Sequence, residues 1–162
     1  MADAKRRAAT IAVGLVVGLC TALVACSHKK QEIMNLREYA PYRLPGNAVI
    51  TGQVTHVLST GQTLVGAGCQ VALLPVTTES TAYMQKVMGG STDNWSPDPE
   101  AVWWLEEADA QGRFRFEALP AGSYYLTCPV AWKEPDGLTR ERILWAETTV
   151  GPGDHVEVTV SR

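Results

Sequence analysis

Residues 112–128 restrict the fold of this chain more than any other stretch, because two alternating runs are joined there by a turn. Phe114 and Phe116 lie two residues apart, the spacing of a strand with one buried face. The other face carries three charged residues: Arg113, Arg115 and Glu117. Pro120 and Gly122 predict a turn, since proline fixes φ and glycine accepts positive φ. The second run then places three residues on one face: Tyr124, Leu126 and Cys128.

Two strands cannot cover their own apolar face, and the sequence supplies further short strands separated by turn signals. Strands are predicted at residues 48–58, 68–75, 101–108, 112–117, 122–132, 142–150 and 155–160. For residues 101–108 a helix starting after Asp98 is the alternative, but the aromatic and β-branched content favours a strand. Residues 79–88 predict one short helix, because apolar residues recur at helical spacing and two glycines follow. The pattern predicts an all-β protein, a seven-stranded β-sandwich with one short helix.

The same stretch resembles a known family. The turn at residues 109–112, the Phe-x-Phe pair and the motif Leu-Pro-Ala-Gly-x-Tyr are similar to those of the carboxypeptidase regulatory-like domain. Residues 50–54 and 66–75 resemble its first two strands, so the resemblance covers residues 48–161. It implies a transthyretin-like (prealbumin-like) β-sandwich of the kind found as an accessory in bacterial surface and periplasmic proteins. It specifies little about activity.

The first 25 residues predict a lipoprotein signal peptide. Three basic residues, 5–7, precede an apolar segment, 8–22, and the run Leu23-Val24-Ala25-Cys26 resembles the lipobox of bacterial lipoproteins. Cleavage before Cys26 would leave its thiol to carry a diacylglycerol and its amine an acyl chain, which together anchor a protein in a lipid bilayer. The alternative is an uncleaved transmembrane anchor, since residues 8–25 are barely long enough to span a membrane.

The remaining chain is predicted to consist of a lipidated tether and one domain. Residues 26–47 are polar and then rich in proline and glycine, as in a tether, and residues 48–162 form the sandwich. The whole chain has a net charge of −3, and the signal peptide holds more basic than acidic residues, so the mature chain is more acidic still. We therefore expect no nucleic-acid partner. By resemblance to enteric lipoproteins, Ser27 after Cys26 predicts the outer membrane, with the domain facing the periplasm.

Cys69 and Cys128 are predicted to form a disulfide. Each lies on the inward side of its strand, and export places both in an oxidising compartment. A bridge would close a loop of about 60 residues and contribute roughly 4 kcal/mol in the chain-entropy description. The alternative is a pair of buried free thiols that act as small apolar side chains.

The tryptophans Trp95, Trp103 and Trp104 are the candidate binding residues. Neighbouring residues of a strand point to opposite faces, so Trp103 or Trp104 should lie outside the main core. An exposed aromatic surface would suit a sugar, a peptide or a partner protein. The alternative is that the helix at residues 79–88 folds over this outer face and buries it.

No pattern of an enzyme is present in the sequence. The chain has three histidines: His28, His56 and His155. None of them is spaced from another ligand as in the motifs that bind catalytic zinc, and no serine lies in a Gly-x-Ser-x-Gly motif. The acidic residues around the segment 93–109 match no calcium loop. We therefore expect no catalytic residues, no metal and no cofactor.

The sequence predicts a membrane-anchored envelope lipoprotein that binds a protein or a glycan. The alternative is a structural docking lipoprotein of an envelope or secretion complex.

Replacement of the lipobox cysteine tests the predicted anchor. We expect Cys26→Ser to abolish labelling by a fatty-acid probe and to leave uncleaved precursor, because the acyl chains require the Cys26 thiol and the amine freed by cleavage. Labelling in cells followed by gel fluorography measures both effects. Continued labelling of the Cys26→Ser protein would contradict the assignment.

Overall fold

The computed structural model describes residues 37–93 and 101–161. Its strands are β1 (Ala48–Val57), β2 (Thr63–Val65), β3 (Gln70–Pro75), β4 (Trp104–Glu107), β5 (Arg113–Leu119), β6 (Gly122–Lys133), β7 (Thr139–Val150) and β8 (His155–Val160). A 3-10 helix (Ala40–Arg43) precedes them, and helix α1 (Thr78–Met88) follows β3. The predicted signal peptide, the predicted lipidation site Cys26 and the candidate binding residue Trp95 lie outside the described residues.

The strands form two four-stranded sheets. In the first sheet, antiparallel β5 and parallel β8 flank β1 on its two sides, and β2 pairs with the last residues of β1. The second sheet has the order β4-β3-β6-β7 and is antiparallel throughout. The predicted all-β sandwich is confirmed. The structure has one strand more than the seven predicted, and the additional strand is β2. The chain turns back between β1 and β2, and a hydrogen bond from Leu58 N to the Gln62 carbonyl (2.9 Å) closes the turn.

Alternating side chains of both sheets fill the space between them. Phe114 and Phe116 are buried, with their ring centroids 5.8 Å apart, while Arg113 and Arg115 are exposed. The predicted phase of β5 is therefore correct. Large residues from the other strands complete this core: Ile50, Val54, Leu73, Tyr124, Leu126, Leu144 and Val160.

Tyr124 lies at the centre of this core and makes both polar and aromatic contacts. Its hydroxyl donates to the carbonyl of Pro120 (2.7 Å), across the turn that joins β5 to β6. Its ring meets Tyr42 and Trp104 edge to face, at centroid distances of 5.3 and 5.8 Å. Burial raises the pKa of Tyr124 above its ordinary value, so the hydroxyl stays neutral and available as a donor. The contact resembles the tyrosine corner of other sandwiches, in which a hydroxyl holds a neighbouring turn.

The predicted disulfide between Cys69 and Cys128 is present, with its two Cα atoms 6.4 Å apart. Cys69 directly precedes β3, and Cys128 lies in β6, the strand that pairs with β3. The bond therefore joins neighbouring strands of the second sheet and not the two sheets to each other. It lies on the inner face, where the Cys128 side chain is buried and Cys69 packs against the core.

Helix α1 begins at a capping box. The Thr77 hydroxyl accepts from Ser80 N (3.2 Å), and the Ser80 hydroxyl accepts from Thr77 N (2.9 Å), which satisfies two backbone donors at the start of the helix. The helix ends at Gly89, as predicted. Met84 and Val87 pack on Leu74 of β3 and on outward residues of β6 and β7, so α1 covers the outer face of the second sheet.

Part of the predicted tether also packs against this helix. The Glu38 carboxylate accepts from Thr78 N (2.5 Å) and from the Thr78 hydroxyl (2.8 Å), a favourable position for negative charge at a helix N-terminus. Tyr39 is fully buried, and its hydroxyl donates to Glu79 (2.9 Å). Burial raises the pKa of Tyr39 to about 12. Glu38 and Tyr39 are thus fixed to the start of α1.

Truncation of one core ring tests the packing of the two sheets. We expect Phe116→Ala to lower the free energy of unfolding by about 3–5 kcal/mol, because it leaves a cavity between the sheets. Arg113→Ala is the matched control on the exposed face of β5 and should change it by less than about 0.5 kcal/mol. Urea unfolding of the full chain in nonionic detergent measures both values. Equal losses for the two variants would contradict the assigned core.

Candidate functional site

The outer face of the second sheet is apolar over an area larger than α1 covers. Its outward side chains include Ala72, Leu74, Leu105, Tyr125, Pro129, Ile143 and Trp145. The helix packs against Leu74, Tyr125 and Ile143. Toward β4 the face stays open, where Trp103 and Leu105 keep 40% and 44% of their surface exposed. Apolar residues grouped at one exposed place indicate a binding surface more strongly than scattered ones do.

A groove of about 230 Å³ lies on this open part. It is lined by residues of the helix, of β3, β4, β6 and the edge strand β7, and by the residue that directly precedes β4: Gln70, Ala72, Tyr83, Trp103, Leu105, Thr127, Pro129 and Ile143. We call it the Trp103 groove. None of these lining residues carries a charge. The groove therefore offers apolar and aromatic contact together with a few neutral hydrogen-bonding groups, a composition typical of sites for uncharged ligands.

Tyr83 is held at the helix side of the Trp103 groove. Its hydroxyl forms a hydrogen bond with Thr127, a side chain that is 4% exposed on β6. Burial raises the pKa of Tyr83, and the bond to Thr127 opposes the rise only in part. The phenol is consequently neutral at physiological pH and keeps its ring fixed against the sheet.

The two neighbouring tryptophans point to opposite faces, as the alternation predicts. Trp104 packs inward against Tyr124, whereas Trp103 lies on the outer face. The helix does lie on that outer face, as the alternative expected, but it leaves Trp103 partly exposed. Of the three candidate tryptophans, the structure thus brings Trp103 to the groove and assigns Trp104 to the core.

The sequence reasoning missed the other residues of the groove. Leu105 had a usable signal, because it lies two residues after Trp103 and so shares its face. Pro129 and Ile143 had none, since they meet only through the pairing of β6 with β7. These two residues also line a second depression of about 340 Å³, which continues along the same strands toward Glu141.

Two other kinds of feature are absent from the described ranges 37–93 and 101–161. No group of three histidine, cysteine, aspartate or glutamate side chains there is arranged to hold a metal ion. No helix in those ranges has the length and apolar character needed to cross a membrane.

Comparison with solved structures finds a protein of the same fold. A candidate carbohydrate-binding protein from Pseudomonas aeruginosa matches with a TM-score of 0.66 and 28% identity, over 78% of this chain and 95% of that protein. The major pilin subunit of Bacillus cereus matches with a TM-score of 0.44 and 11% identity, over 72% of this chain and 30% of the pilin. No protein-family model matches the sequence, and no curated protein sequence matches it.

Proposed function

We propose that this protein is a non-catalytic carbohydrate-binding module that is lipid-anchored in the bacterial envelope, and that its glycan lies in the Trp103 groove. The observation that carries the proposal is the similarity to the candidate carbohydrate-binding protein, which extends over nearly the whole length of that protein. The groove adds a chemical reason, because an exposed indole beside an apolar floor provides a flat surface on which a sugar ring can stack.

The lining of the groove selects among glycans. Because the Gln70 amide is neutral and no lining side chain is charged, a neutral sugar fits better than an acidic one. The volume of about 230 Å³ lies below the roughly 300–1,000 Å³ of typical small-molecule sites. We therefore infer that one sugar ring is held beside Trp103, while the following rings extend over Pro129 and Ile143 into the second depression.

The N-terminal sequence supports the proposed location of the module. The signal peptide and lipobox support an anchor at Cys26, and Ser27 supports sorting to the outer membrane with the domain in the periplasm. The motifs of β5 and β6 support membership of the carboxypeptidase regulatory-like domains.

A docking lipoprotein of an envelope complex remains the competing function, since Trp103 and Leu105 would also suit an apolar patch on a protein partner.

Loss of the indole tests carbohydrate binding. We expect the full chain, in nonionic detergent, to bind at least one of chitotetraose, cellotetraose and maltotetraose in isothermal titration calorimetry. Trp103→Ala should raise the dissociation constant by about tenfold or more, equivalent to about 1.4 kcal/mol, because the stacking surface is removed. The same variant should unfold at nearly the wild-type urea concentration, since Trp103 lies outside the core.

The matched control is Val57→Ala, which removes an exposed apolar side chain from the first sheet, away from the groove. It should leave the dissociation constant unchanged. Binding that survives Trp103→Ala would contradict the assignment of the groove. No binding by any of the three sugars, together with recovery of one dominant envelope protein in a detergent pull-down, would favour the docking function instead.

A further inference from the structure

A second groove, of about 640 Å³, lies where the two sheets end side by side at β7 and β8. Its floor includes Ala146 and Val158, and Glu147 and Glu157 lie at its rims. This β7/β8 groove is at the opposite edge of the second sheet from β4 and Trp103. What it binds is therefore independent of the proposed carbohydrate function.

Strand β8 presents an open row of backbone groups to this groove. It pairs with β1 in an unbroken register, and no other strand among the described residues pairs with it. Val49 N donates to the Asp154 carbonyl (2.8 Å) immediately before β8. Because successive peptide groups of a strand point to opposite sides, the groups of His155, Glu157 and Thr159 point away from β1. Such a row is a template for one more strand.

The other edges of the two sheets carry features that discourage strand addition. Strands β2 and β4 have only three and four residues. Strand β5 exposes charged side chains, and its pairing with β1 contains a bulge near Ala118, whose φ is 54°. Strand β7 carries consecutive charges at residues 140–142. In contrast, β8 has no lysine, no proline and no bulge, and its one acidic residue is Glu157.

We propose that β8 receives an extended peptide of a partner protein as an added strand, and that this peptide alternates apolar with basic side chains. Its apolar side chains would point into the groove onto Ala146 and the partly buried Val158. Its basic side chains would lie on the face that carries Glu157, with Glu147 at the opposite rim. Within the part of the chain that the structure describes, neither carboxylate has an ion-pair partner. In strand addition of this kind, backbone hydrogen bonds provide the affinity and alternate side chains of the peptide provide the specificity.

The same carboxylate argues against a second copy of this chain as the occupant. Two β8 strands paired about a twofold axis would place the two Glu157 side chains on one face, directly opposite or on a diagonal. Like charges at such cross-strand positions are destabilising, whereas a lysine opposite Glu157 is favourable. The charge pattern of the edge therefore selects a basic strand from another protein.

A pair of labelled peptides tests the proposal. A synthetic heptapeptide of alternating valine and lysine should bind the full chain in nonionic detergent, as measured by fluorescence anisotropy. Glu157→Lys should raise its dissociation constant by about tenfold or more. The control is Glu117→Lys, which makes the same charge change at an exposed position of β5, the other edge of the same sheet. It should raise the dissociation constant of the peptide by less than about twofold. A valine–glutamate heptapeptide should show the reverse preference and bind Glu157→Lys better than the wild type.

A backbone variant separates strand addition from simple charge attraction. Thr159→Pro removes one outward amide donor from the edge and should weaken the valine–lysine peptide by about tenfold, although no charge changes. Equal weakening by Glu157→Lys and Glu117→Lys would overturn the proposal, because binding would then reflect net charge alone. Sedimentation that shows a dimer, altered by Glu157→Lys, would also overturn it, because the occupant would be a second copy.

Discussion

The central constraint on this protein is that a short helix must cover a longer sheet. Helix α1 has eleven residues and spans about 16 Å, whereas β6 has twelve residues and extends about 40 Å. The helix is fixed at one end by its capping box and by Glu38, so it covers only the part of the outer face near Leu74 and Tyr125. The rest of an apolar face remains in water, and the Trp103 groove lies there. An uncovered apolar surface is expected where a partner or ligand binds.

The inner side of the same sheet shows the opposite situation, because its large apolar side chains pack in the core between the two sheets. Tyr124 bonds to the Pro120 carbonyl and meets two aromatic rings, and the disulfide joins β3 to β6 at the edge of the core. A closed core and a partly open outer face on the same strands give a rigid platform. Leu105 is held by strand pairing, and Trp103 directly precedes the same strand, a condition that favours preorganised binding.

The sequence predicted the sandwich and the phase of β5, because both depend on a local pattern of two-residue alternation. It also placed Trp103 and Trp104 on opposite faces for the same reason. It predicted the bond between Cys69 and Cys128 from their inward parity and from the oxidising compartment that export implies. It did not predict β2, since three residues are too few to show a period. The complete Trp103 groove could not be predicted from the sequence, because Tyr83, Pro129 and Ile143 come together only through helix packing and strand register. The β7/β8 groove depends in the same way on which strands end each sheet.

The most direct test of the account is to observe the tryptophan indoles while a sugar binds. Two-dimensional NMR of the isotope-labelled full chain in detergent, titrated with chitotetraose, cellotetraose or maltotetraose, reports each indole N–H separately. The account predicts that the Trp103 signal shifts together with backbone signals of Leu105 and Tyr83, while the indole signal of Trp104, which packs against the core, stays in place. Shifts confined to β7 and β8, or an unchanged Trp103 signal in the presence of bound sugar, would contradict it.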